Sequence, residues 1–469
     1  MFVGRTEELN SLNRLYDEGI FQCIIIYGRR RVGKTTLISH FMKDKPGIFF
    51  TAQEILDHNN LEEFSKHIYE FFNVPLSAGA FQTWNAAFAF IAEKAMKEQF
   101  ILAFDEFPYA AKANPALKSI LQNIIDHKLK DSKLYLILCG SHESFMEKEV
   151  LGIKSPLFGR RTAQLRIEGF DYQDAFLMLD GFSIEDKFKI YASIGGTPHY
   201  LSQVKKSENY EENIKRLYFD ISGYLYNEPM MLLMQEVREP AAYNSIIAAI
   251  ASGASKLNEI VTKTGEERTK ISKYLTSLVG LKIVIKEYPF GENPENSRKS
   301  IYRLNDFCYN FWYRFVLPAR PEIESGNGAE VADEEVFSEQ LSDYIGKPPF
   351  EEICLQYLKR QNKKKLLPFS ATSFGKWWGT DPKEKKETDI DVIAANRRKK
   401  QILLGECKWR NSFDDVAEIK KLMEKDYLLP EYNERYYYLF SKVPFSKNAL
   451  LLKEENPRLK LITIEDIVM

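Results

Sequence analysis

The chain has 469 residues, 44% of them hydrophobic, with 65 Lys and Arg against 66 Asp and Glu. That length predicts three or four domains, and the near-neutral total makes charge informative only where it is locally uneven. No stretch reaches the roughly 18 uncharged apolar residues of a membrane span, no signal peptide is expected, and five scattered cysteines without a CxxC pair argue against disulfides and structural zinc; a cytoplasmic protein with no membrane partner follows as the expectation.

The first predicted element is the run Cys23-Ile24-Ile25-Ile26-Tyr27, short, apolar and β-branched like a buried parallel strand. Directly after it, Gly28-Arg29-Arg30-Arg31-Val32-Gly33-Lys34-Thr35 fills every position of the pattern G-x-x-x-x-G-K-[ST]. From Thr35 and Thr36 to Met42 the spacing is helical, with Leu37, Ile38 and Phe41 on one side. A strand, a Gly-rich turn and a helix N-terminus aim backbone N–H groups and a positive dipole end at a phosphate chain. In this loop Gly28 and Gly33 permit close backbone approach. Lys34 is suited to the β- and γ-phosphates, and Thr35 to Mg²⁺. A nucleoside triphosphate with Mg²⁺ is the implied ligand.

Further along, Phe100-Ile101-Leu102-Ala103-Phe104 reads as an apolar strand ending in Asp105 and Glu106. Asp105 is placed to hold the Mg²⁺ water shell and Glu106 to polarise the attacking water. A third strand, Leu134 to Cys139, ends at Gly140-Ser141. Ser141 suits either a γ-phosphate sensor or the cap of the next helix. Strands near Ile24, Ile48, Ile101, Leu134 and Leu165 alternate with helical segments, the signature of a parallel sheet covered on both faces.

From about Gly169 to Gln235 the pattern is helical. Helices are then predicted over Tyr243–Ala251, Lys256–Lys263 and Glu266–Val279, with a turn at Thr264-Gly265. A hairpin of Ile283–Tyr288 and Ser300–Leu304 follows, so the segment reads as a winged helix-turn-helix. Its third helix exposes Arg268, Lys270, Lys273 and Tyr274 toward a DNA groove, although such modules also serve as protein-docking sites. The aromatic stripe Phe307 to Phe315 is expected in a core. Between Pro321 and Gly346 every charged residue is acidic, which reads as an exposed linker or a partly ordered helix. Between Lys359 and Arg410 there are fifteen Lys or Arg against six acids.

Within that basic stretch, Thr388–Ala395 and Gln401–Trp409 read as a hairpin. Pairing Ala395 with Ile402 puts Asp391 opposite Glu406, and strand alternation places Glu406 and Lys408 on one face. Two carboxylates held together call for a bridging cation, so Mg²⁺ is the expected occupant.

Several of these segments carry family resemblances. The opening Phe2-Val3-Gly4-Arg5-Thr6-Glu7-Glu8-Leu9, the loop GRRRVGKT, the strand ILAFDEF, the segment ILCGSH, Pro156 to Arg161 and Gly195-Gly196-Thr197-Pro198 together resemble the archaeal-type ATPases of the AAA+ and STAND group of P-loop proteins. That resemblance covers most of residues 1–320 and implies ATP as the nucleotide. It places Phe2–Leu9 near the adenine, Arg160 or Arg161 as a finger or sensor, with Arg160 taken as a nucleotide contact, and Gly196-Thr197-Pro198 beside the nucleotide. The arrangement of Asp391, Glu406 and Lys408 resembles the PD-(D/E)XK nucleases, with Glu351 as the matching acid on the preceding helix. In such enzymes the metal polarises the scissile phosphate and the Lys activates water.

The expected fold class is therefore α/β. It comprises a parallel-sheet P-loop ATPase core over 1–168, a helical lid over 169–238, a winged helix-turn-helix over 239–318, an acidic linker over 319–346 and a restriction-endonuclease-like α/β domain over 347–469. Two functions remain open: an ATPase that gates a metal-dependent nuclease on nucleic acid, DNA favoured, or a nucleotide-controlled switch with a non-catalytic C-terminal domain. A homo-oligomer and a protein partner at the winged helix are both compatible with the resemblance.

Overall fold

Runs of apolar residues too continuous for a sheet with one wet face build the first sheet. Strands β1 (Gln22–Tyr27), β3 (Phe100–Asp105) and β4 (Leu134–Gly140) are buried at every position, as strands covered on both faces must be. With β2 (Gly47–Thr51) and β5 (Ala163–Arg166) they form a parallel sheet of order β2-β3-β4-β1-β5. Side-chain alternation sends Cys23, Ile25 and Tyr27 into a core with Phe64, Trp84 and Phe104. It sends Ile24 and Ile26 into the opposite core with Leu12, Val32, Leu37 and Ile38. The computed structural model describes residues 2–468 apart from Leu76, Ala78, Arg238 and Arg298, so the lid boundary expected at Arg238 lies outside the described residues.

The chain divides into two compact units, one of residues 1–170 with 197–199, the other of residues 171–196 with 200–469. The first holds the parallel sheet. The second takes in the segments that the sequence divides into lid, winged helix, linker and C-terminal domain. Thr197–His199 belongs instead with the first unit. Among the described residues no helix is long and apolar enough to cross a membrane.

In the second unit, helices Tyr172–Met178, Ile184–Ile194, Tyr210–Tyr218 and Glu228–Glu236 come first. Asn209 and Glu212 close a capping box on the third, satisfying two orphan donors. Three more helices, Pro240–Ala251, Leu257–Thr264 and Arg268–Gly280, lead into the antiparallel pair β6 (Val284–Glu287) and β7 (Ile301–Leu304). Gly265 ends the second helix at φ 68°, a left-handed turn that glycine adopts without strain. The aromatic stripe is core: Phe311, Trp312, Tyr313 and Phe315 are buried.

The acidic stretch departs from expectation. It is a succession of packed helices, Arg320–Glu324, Gly328–Val331 running on to Val336, and Glu339–Ile345, rather than an exposed linker. Ile323, Ala332, Val336, Tyr344 and Ile345 recur on the inward side and are buried. The acids occupy the remaining positions and mask that apolar face.

The C-terminal sheet has order β12-β11-β10-β9-β8, with β8 (Ser373–Thr380), β9 (Glu387–Asn396), β10 (Gln401–Lys408), β11 (Glu434–Ser441) and β12 (Leu459–Thr463). The first three strands pair antiparallel and the last three parallel. The helix Glu351–Lys363 packs on β8 and β9.

Candidate functional site

The glycine loop leaves β1 and enters the helix Lys34–Met42. Gly28 stands at φ +153°, and a Cβ there would lie 2.1 Å from the Ile167 carbonyl oxygen, so only glycine fits. Gly33 stands at φ +88° immediately before the helix. The Lys34 ammonium is buried and donates to the Gly28 and Arg29 carbonyls at 2.9 and 2.8 Å. Burial pulls its pKa below the ordinary lysine value, while Cys139, Glu106, Asp105 and Glu143 push in the opposite direction.

Across the sheet edge, the Thr35 hydroxyl donates to Asp105 Oδ2 at 2.7 Å, and Asp105 Oδ1 accepts the Glu106 N–H at 2.9 Å. Two residues seventy positions apart therefore meet at one point. A hydroxyl beside a buried carboxylate at a helix N-terminus is a donor set that fits Mg²⁺, a hard cation taking oxygen ligands. Glu106 adopts φ 48°, and its Oε1 accepts the Ser141 hydroxyl at 2.5 Å. Ser141 thus faces Glu106, and the cap of the following turn is made by His142, whose ring accepts the Phe145 N–H.

The remaining loop residues differ in placement. Arg30 reaches the Tyr109 hydroxyl at 3.1 Å, Arg31 takes a left-handed φ of 70°, Val32 is buried, and Thr36 is exposed. Pro198 brings its Cγ within 3.9 Å of where a Gly33 Cβ would stand. Arg5 carries more than the sequence conveys. Its buried guanidinium donates to the Val32 carbonyl at 2.9 Å and the Glu168 carbonyl at 2.5 Å, clamping the loop to the exit of β5. Phe2 stacks on His40 with centroids 3.9 Å apart.

Arg160 is a correction. Thr162 donates to Cys23 at the start of β1, and β5 opens opposite Ile24, so Arg160 precedes β5 at the end of the strands away from the loop. Its guanidinium grips Asp126 at 2.8 to 3.2 Å. The positive charge of the neighbouring Arg161 makes a small lowering contribution to the pKa of the Tyr27 phenol, which burial raises.

In the C-terminal sheet, Ile402 pairs with Ala395 and the ladder runs to Gly405 opposite Val392. Continued one step, that register sets Asp391 against Glu406, and Asp391 Oδ2 accepts the Cys407 N–H at 2.8 Å. Glu351, Asp391 and Glu406 are all buried. Burial, then Glu351 and Glu406, hold the Asp391 carboxyl well above the usual carboxylate range.

Cations already surround these acids. Lys376 on β8 donates to Glu351 at 2.8 Å, and Lys347 lies 3.6 Å from the same carboxylate. Lys408 donates to Glu406 at 2.9 Å and reaches Glu418 at 3.1 Å. Burial disfavours the Lys408 ammonium, but Glu406 and Glu418 outweigh it and raise its pKa. Lys425 is buried and bridges Glu406 at 3.2 Å and the Asp389 carbonyl at 2.7 Å. Among the described residues no group of three or more His, Cys, Asp or Glu side chains is arranged to hold a metal. Glu351 and Glu406 are each engaged by two lysines, Lys376 and Lys347 on the one and Lys408 and Lys425 on the other. Sequence reasoning missed Lys376 and Lys425; both are single lysines with no spacing motif.

The three-helix and hairpin segment is tied to this sheet. The Phe290 N–H donates to the Lys376 carbonyl at 2.7 Å, and the Trp378 indole to the Lys299 carbonyl at 3.1 Å. Of the face expected to meet DNA, Arg268 and Lys273 are exposed, whereas Lys270 pairs with Glu266 and Tyr274 with Glu239.

Comparison with known proteins matches residues 2–204 to a family described as an ATPase domain predominantly from Archaea. Residues 312–421 match archaeal and bacterial proteins of unknown function. An uncharacterized protein of Methanocaldococcus jannaschii is 33% identical over 472 residues, covering 99% of this chain and all of that protein. An uncharacterized ATP-binding protein of the same organism is 56% identical over 45 residues, 10% of this chain and 76% of its own length. In fold, the chain is similar to the Walker-type ATPase of Pyrococcus abyssi, at 19% identity and TM-score 0.50, covering 67% of this chain and 96% of that one.

Proposed function

Because the chain belongs to the family of P-loop ATPases found predominantly in Archaea, we propose that it binds and hydrolyses ATP and acts through its second unit on nucleic acid. The observation that carries the first part is the meeting of Thr35 with Asp105 at 2.7 Å beside the Lys34 ammonium. Thr35 and Asp105 would hold Mg²⁺, which when bound neutralises charge on the β- and γ-phosphates. The loop amides and Lys34 orient the phosphate chain, and Glu106, held by Ser141, accepts the proton of the attacking water. Phosphate release from ATP by the purified chain, lost in Lys34→Ala, is the test. Unchanged release in that variant would sink the assignment.

For the second unit, the reading is a nuclease-like domain in which Asp391 and Glu406 hold a divalent cation and Lys408 orients water, with Glu351 alongside. The local basic surplus and the exposed Arg268 and Lys273 support a phosphate-backbone partner. The winged helix-turn-helix contributes its third helix rather than its hairpin, which is packed on the C-terminal sheet. A second reading is favoured by Lys376 and Lys425, which already neutralise Glu351 and Glu406. There the domain binds nucleic acid or protein under nucleotide control without cutting. Incubation with DNA and RNA forms in Mg²⁺ or Mn²⁺, with and without ATP, separates the two. Cutting lost in Asp391→Ala supports the nuclease; no cutting under any condition leaves the switch.

A further inference from the structure

Arg166, the last residue of β5, stands in parallel register with Tyr27, the residue before Gly28. Its Nε and Nη2 both donate to Glu143 Oε1 at 3.3 Å, and its Nη1 lies 2.9 Å from Glu168. Glu143 follows β4 by three residues, is only 13% exposed, and is one of the carboxylates that act on the Lys34 ammonium, with Asp105 and Glu106. Glu147 and Arg161 are the other charged groups gathered around the Tyr27 phenol.

Three carboxylates share the neighbourhood of one buried lysine, and a triphosphate adds further negative charge to the same place. Glu143 would then face an anion, and its pairing with Arg166 would weaken as that of Arg166 with phosphate grew. A planar guanidinium matches phosphate oxygens in a two-pronged fashion that an ammonium does not. Arg160 cannot serve, since Asp126 holds it at the opposite end of the strands from the loop.

Resting on the ATP-site reading above, we propose that Arg166 is a nucleotide-contacting residue supplied by the same chain, exchanged from Glu143 to the γ-phosphate and so distinguishing triphosphate from diphosphate. Glu143 is the internal competitor that holds the guanidinium when the terminal phosphate is absent.

The full chain is tested by calorimetric titration with ATP and with ADP, each in Mg²⁺, and by phosphate release. Arg166→Gln is expected to weaken ATP about tenfold or more while leaving ADP within about twofold, the scale of one lost charged hydrogen bond. Glu143→Gln is expected to shift the ratio the other way, favouring ATP, and serves if Arg166→Gln fails to fold. Arg161→Gln should leave the ratio unchanged. Equal losses of ATP and ADP in Arg166→Gln, an unchanged ratio in Glu143→Gln, or a ratio that follows Arg161 would each overturn the proposal. A wild-type chain that binds neither nucleotide removes the ATP-site reading itself, a failure distinct from wild-type binding with Arg166 indifferent.

Discussion

Arg303 on β7 donates to Glu352 at 2.9 Å, and the same guanidinium lies 2.8 Å from Glu287 on β6. Glu352 is the neighbour of Glu351, so one half-buried arginine fastens the hairpin to the helix that carries an acid of the C-terminal site. Burial opposes its charge, but Glu287 and Glu352 more than compensate, and the guanidinium pKa rises above its ordinary value.

Removing that cation leaves two partly buried carboxylates without a partner. Arg303→Met is expected to destabilise the second unit by about 3–5 kcal/mol, read by urea unfolding. Adding Glu352→Gln should recover part of the loss. An unfolding midpoint equal to wild type in the single variant would show the ion pairs to be incidental.

The Thr35–Asp105 pair sets a second expectation. Asp105→Asn should keep ATP binding, because the loop amides and Lys34 remain, but cut phosphate release by about 100-fold or more. Retained turnover, measured with saturating ATP and Mg²⁺, would remove Asp105 from the metal position.

Asp126 gives a pH signature. The Arg160 hydrogen bond, opposed by slight burial, depresses the Asp126 pKa. A depressed folded pKa means stability that is present above the ordinary aspartate range and lost as pH falls through the folded value. Asp126→Asn should therefore be less stable than wild type at neutral pH, with the gap closing on acidification. A gap that stayed constant with pH would assign the effect to packing.

At the C-terminal site, a bound cation stabilises only if Asp391 and Glu406 share it. Mg²⁺ or Mn²⁺ at 100-fold above its Kd should stabilise the wild type by about 2.7 kcal/mol and Asp391→Asn far less. Equal thermal shifts in both proteins would place the metal elsewhere, with the P-loop the first alternative to test through Asp105→Asn.

Much of the first unit was legible because its signals are local. A buried strand, a glycine loop and a helix start follow one another along the chain, and Gly28 and Gly33 mark backbone conformations that other residues avoid. The hairpin register was also readable: counting from Ala395 and Ile402 reproduces the observed pairing, since a two-residue period admits little slippage. The acidic stretch left linker and helix both open because acids dominate its composition while its few apolar residues recur at helical spacing and pack inward.

What the sequence determined by itself was the order of elements, the phosphate loop and the register of the hairpin that pairs Ala395 with Ile402, all set by backbone geometry between near neighbours. Only the tertiary structure decided which lysines neutralise Glu351 and Glu406, where Arg160 and Arg166 point, and that the hairpin is fastened by Arg303. Each of those is a meeting of single side chains far apart in the chain. No periodicity marks such a pair, because its geometry arises when whole elements pack and a buried charge must find a partner.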